Sequence, residues 1–89
     1  MSAVERAYAA ADAWRRLADA AEDTMAGARS VADALTANNS GAAIDAFERR
    51  WRQAADPGCA GPLPRLVREC LLLAERCDQY AVALAAGPR

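Results

Sequence analysis

Nine apolar residues, Ala7, Ala11, Trp14, Ala18, Ala21, Met25, Ala28, Ala32 and Leu35, recur at steps alternating between four and three. A period near 3.5 kept over this length specifies a helix lying along other helices at a shallow crossing angle. Tyr8, Leu17 and Val31 widen the stripe, while Glu5, Arg16, Asp19 and Asp23 fall outside it. The pattern predicts a first helix over about 4–37, with Trp14, Met25 and Leu35 as bulky anchors on an otherwise alanine seam. Gly27 lies off that seam and costs about 1 kcal/mol relative to alanine.

Asn38-Asn39-Ser40-Gly41 breaks the pattern. After glycine, asparagine best tolerates a left-handed helix end, and Ser40 can cap the helix that follows. A second helix over about 41–55 puts Ile44, Phe47, Trp51 and Ala54 on one face. Asp56-Pro57-Gly58 then reads as a type II turn, and Pro64 suits the first turn of a third helix over about 63–86. Its seam is Leu63, Leu66, Cys70, Leu73, Cys77, Tyr80 and Leu84, with Leu72 a lone apolar residue on the wet side.

Alanine supplies 25 of the 89 residues and β-branched residues are sparse, so the fold class is all-α in a single domain, 1–89. At 1.5 Å per residue the first helix spans about 50 Å, and the other two together about 54 Å. The simplest arrangement is a helical hairpin with a broken second arm and its turn at 38–41. The alternative folds the third helix back into a compact three-helix monomer. A hairpin alone leaves stripes this broad uncovered, so dimerisation to a four-helix bundle is expected. The stripe that serves as core or interface is Tyr8, Trp14, Leu17, Met25, Leu35, Ile44, Phe47, Trp51, Leu66, Cys70, Leu73, Cys77, Tyr80 and Leu84.

Several function classes are disfavoured. The net charge is -1 and every basic residue is an arginine interleaved with acids, unlike the basic face of a nucleic-acid binder. No apolar run approaches the roughly 20 residues of a membrane span, and the amino terminus lacks the layout of a cleavable signal. There is no histidine and no Cys-x-x-Cys pair, so neither a metal nor another cofactor is expected. Cys70 and Cys77 are about 10 Å apart along a helix, too far for a disulfide; Cys59 stays open. The inward positions carry no convergent polar groups for catalysis, so an enzyme is not expected.

The hairpin plan and the run from Ser40 to Trp51 resemble the WXG100 (ESAT-6-like) proteins of type VII (ESX) secretion, helical hairpins of about this length. In particular, Ser40, Gly41, Ala43, Ala46, Phe47 and Trp51 look like the turn of the WXG-like domain that heads actinobacterial polymorphic toxins. Cys70, Leu73, Ala74, Cys77, Tyr80 and Ala81 are similar to a later run of that subgroup. The likeness covers about residues 10–85. Two departures stand out. Asn39 occupies the place of the family's tryptophan, so the Trp-x-Gly motif is absent. The family's Tyr-x-x-x-Asp/Glu export signal is missing after the second arm, where Leu84 follows Tyr80; Tyr8 to Asp12 fits that pattern only inside the first helix.

The resemblance implies a non-catalytic adaptor or targeting module of type VII secretion. It would pair as homodimer or heterodimer with another WXG-like protein or toxin and reach the secretion machinery through that partner. It would be cytoplasmic, or exported without a cleaved signal peptide. The other reading is a cytosolic immunity or chaperone-like protein that sequesters a toxin.

Overall fold

Three helices account for most of the chain: α1 (Ala3–Asn38), α2 (Ala42–Ala55) and α3 (Pro62–Ala86). This is a computed structural model, and it describes residues 1–55 and 61–87. The type II turn expected at Pro57-Gly58, and Cys59, lie outside the described residues.

Each helix end has a local cause. Ser2 caps α1 by accepting from the Glu5 amide at 3.1 Å, and the Glu5 carboxylate accepts from the Ser2 amide. This reciprocal Ser-x-x-Glu capping box satisfies two otherwise free amides. At the far end, Asn38 and Asn39 do not take the left-handed conformation expected of them. Asn39 is extended at φ -137°, while its side-chain amide donates to the Leu35 carbonyl and that of Asn38 to the Ala34 carbonyl. The side chains thus satisfy the last carbonyls, and no backbone reversal is needed there. The positive φ falls instead on Gly41, at 117°, where a β-carbon would be strained. The Gly41 carbonyl accepts from the Asp45 amide at 3.0 Å. Gly41 is therefore the residue that caps α2, and Ser40, expected in that place, sits one position too early.

The packing register identifies the hairpin. Arg15 pairs with Asp78, Ala18 packs with Val67 and Cys70, Met25 lies by Leu63, and Ala32 lies by Trp51. As numbers rise along α1, partner numbers fall through α3 and into α2. The two shorter helices are thus successive halves of one antiparallel arm, and α3 does not fold back into a compact three-helix monomer. The molecule measures 65 × 21 × 12 Å with a radius of gyration of 18.8 Å, against about 12 Å for a compact chain of this length.

The seam is narrower than its sequence pattern. The buried residues of α1 are Ala7, Ala11 and Ala18, facing Val67, Cys70, Ala74 and Ala81 of α3, and Ala32, which lies toward α2. Cys70 is the largest side chain that is fully buried. Alanine against alanine lets the axes approach closely, so larger side chains are pushed to the edges of the contact. Leu72 is accordingly not a lone exposed apolar residue: Leu66, Leu71 and Val82 are exposed as well. Ala55 alone is buried in α2, and Phe47 remains 37% exposed.

Two glycines have opposite characters. A β-carbon on Gly61, the residue preceding α3, would lie 2.5 Å from the Gln53 carbonyl oxygen and 2.9 Å from that of Ala54. Gly61→Ala is expected to lower stability by about 1–3 kcal/mol, the usual effect of overpacking, as urea denaturation can measure. A β-carbon on Gly27 meets nothing within 4 Å. Gly27→Ala is expected to raise stability by about 0.5–1 kcal/mol through helix propensity alone.

Candidate docking face

Some of the apolar residues that α1 and α3 leave uncovered, Leu17, Leu66 and Tyr80 among them, gather on one side of their seam, while Tyr8, Leu71, Leu72 and Val82 lie elsewhere. Ala3, Ala10, Leu17 and Thr24 are seven apart on α1, as are Leu66, Leu73 and Tyr80 on α3, and residues seven apart share a helix face. Between these two lines run two shallow grooves. One, of about 280 Å³, is lined by Leu17, Ala20, Ala21, Thr24, Met25, Ala28, Leu63 and Leu66. The other, of about 500 Å³, is lined by Ala3, Arg6, Ala7, Ala10, Leu73, Arg76, Cys77 and Tyr80. Leu17 is 46%, Leu66 44% and Tyr80 61% exposed. Val31, seven residues beyond Thr24, extends the apolar line toward the hairpin turn and is also exposed.

The opposite flank is charged. Glu5, Asp12, Asp19 and Asp33 follow their own seven-residue spacing on α1. Arg15 bonds Asp12 at 3.2 Å and reaches across to Asp78. The hydrogen bond from Arg15 to the Asp78 side chain raises the arginine pKa above its usual value, and desolvation opposes it. Both partners are exposed enough for water to screen them, so the pair marks the register of the hairpin and adds little to stability.

This geometry sorts the expected stripe into groups. Leu17, Met25, Leu66, Leu73, Cys77 and Tyr80 line the two grooves of the candidate face, and Met25 also packs against the seam. Trp14 and Cys70 belong to the seam. Ile44 and Leu84 are half-buried, and Leu35 is exposed. Phe47 and Trp51 line a separate, more polar groove with Arg29, Asp33, Glu48 and Arg52. Tyr8 stands on the opposite flank from Ala10, since two residues turn a helix by about 200°. Asn38, Asn39, Ser40 and Gly41 form the tip of the hairpin.

Arg6 and Arg76, which line the larger groove, are charged residues that the periodicity of apolar positions passes over; their common placement depends on the register between helices. Cys70 and Cys77 are free thiols. Among the described residues no group of His, Cys, Asp or Glu is placed to hold a metal ion, and no helix is long and apolar enough to cross a membrane.

An elongated hairpin joined through alanine, with Leu17, Leu66 and Tyr80 exposed along one open face, has the form of a helical protein completed by other helices. A family model described as a WXG100-like domain matches residues 4–87, and the chain belongs to this family of helical proteins associated with type VII secretion. Its members are in general not enzymes and pair with partners. No curated protein and no solved structure gives a match.

Proposed function

We propose that the chain is a non-catalytic adaptor or targeting module of type VII secretion. It pairs with a second WXG-like hairpin, either free-standing or at the head of a toxin, and the pair forms a four-helix bundle. The uncovered face carries this reading. The accessible surface is 6335 Å², whereas a compact monomer of 9.4 kDa exposes about 5000 Å². The excess is larger than the roughly 800 Å² that each partner of a stable complex buries.

Docking of helix faces would provide affinity through apolar burial, and the folded unit, rather than either chain alone, would be presented to the secretion machinery. The Trp-x-Gly motif is absent, so turn contacts made by that tryptophan are not available to this chain. The partner is the natural source of the export signal, because Tyr8 and Asp12 lie inside α1, where Asp12 is engaged by Arg15.

The test is an export assay. Deleting the gene in its source organism, and then restoring it, is expected to abolish and recover release of the co-purifying partner into the culture medium. Undiminished release would contradict the adaptor role. Growth arrest caused by an unrestrained toxin would identify an immunity protein instead.

A further inference from the structure

We propose that the occupant of the α1–α3 face is an amphipathic helix whose bulky apolar ridge is flanked by carboxylates; this rests on the pairing function above and specifies the partner's chemistry. Three observations carry it.

First, the face is free of acid along the whole of α1. None of its six acidic residues falls on the line through Ala3, Ala10, Leu17, Thr24 and Val31, or on the rows on either side of that line. On the α3 edge the one carboxylate, that of Glu69, is taken by Arg65 at 3.2 Å.

Second, two arginines flank the larger groove, with no carboxylate paired to either among the described residues. Arg6 donates to the Met1 carbonyl at 2.9 Å and makes no ion pair among the described residues. Arg76 makes no ion pair among the described residues. A helix laid over this groove would remove water from both guanidinium groups, and burying such a charge without a partner is strongly unfavourable. A carboxylate on the occupant resolves this and also sets its direction.

Third, the second groove is apolar and lined largely by small side chains, with Leu17, Leu63 and Leu66 on its walls. It lies about 20 Å from the Arg6–Arg76 groove along α1. It is shaped to take large apolar side chains, not a second row of alanines. One helix can therefore place its ridge in this groove and its carboxylates against the arginines.

Two synthetic helices with the same leucine ridge, one flanked by glutamates and one by lysines, provide the test. Each is fluorescently labelled and titrated with the full-length chain at low ionic strength. The glutamate helix is expected to bind at least tenfold more tightly than the lysine helix. The preference should disappear in the Arg6→Ala/Arg76→Ala variant, and Leu17→Glu should abolish binding of both peptides. Circular dichroism should show unchanged helix in each variant, since all three side chains are exposed. Equal affinity for the two peptides, binding of neither, or binding that survives Leu17→Glu would overturn the proposal. So would self-association of the chain that Leu17→Glu dissolves; the occupant would then be a second copy, and the pairing function would stand without the acidic helix.

Discussion

Leucine in place of Ala81 should lower the stability of the chain by about 3 kcal/mol, near the upper end of the usual range for overpacking. Ala81 has no exposed surface and faces α1 through the alanine seam. The added side chain has no room unless the helices separate, and separation would also loosen Ala7 and Ala11. In a domain of this size the loss corresponds to a fall in melting temperature of roughly 12–24 °C, which circular dichroism would register. Ala83, two residues on, is exposed. Ala83→Leu should therefore change stability by no more than about 0.5 kcal/mol. Similar effects at the two positions would mean that α1 and α3 do not meet through this seam.

The second large effect concerns pairing. Leu66→Glu should leave the hairpin folded, because Leu66 is 44% exposed in the isolated chain and such surface changes are usually within about 0.5 kcal/mol. Its affinity for the natural partner should nevertheless fall at least about a hundredfold, since docking would strand a carboxylate in an apolar groove. Calorimetric titration reads the affinity, and thermal denaturation followed by circular dichroism reads the fold. A variant that unfolds would place Leu66 in the core of the hairpin, and one that pairs normally would place the partner on another face.

Periodicity made the helices legible, and length made the hairpin legible: a first arm of about 50 Å and a broken second arm of about 54 Å match only when laid side by side. The capping box at Ser2 and Glu5 follows a Ser-x-x-Glu spacing that a reading by apolar periodicity passes over. The width of the buried seam was not. Spacing tells which side of a helix faces its neighbour, whereas the area covered depends on how closely the axes approach. Alanine at 11, 18, 74 and 81 brings them close and leaves Leu17, Leu66 and Tyr80 at the edge. The turn falls at 38–41 as expected, but its conformation differs because asparagine can end a helix in two ways. At 38 and 39 the side-chain amides reach back to the carbonyls of Ala34 and Leu35, and Gly41 makes the reversal. The placement of Arg6 and Arg76 along one groove depends on the register between α1 and α3, which neither helix encodes by itself.

The central claim is that this hairpin is one half of a bundle. Its most direct test is sedimentation combined with small-angle scattering on the chain recovered from its native cells. The account predicts a complex heavier than the 9.4 kDa chain, and an elongated hairpin with a radius of gyration near 18.8 Å when the chain is isolated. A lone 9.4 kDa monomer with a radius of gyration near the roughly 12 Å of a compact domain would contradict it.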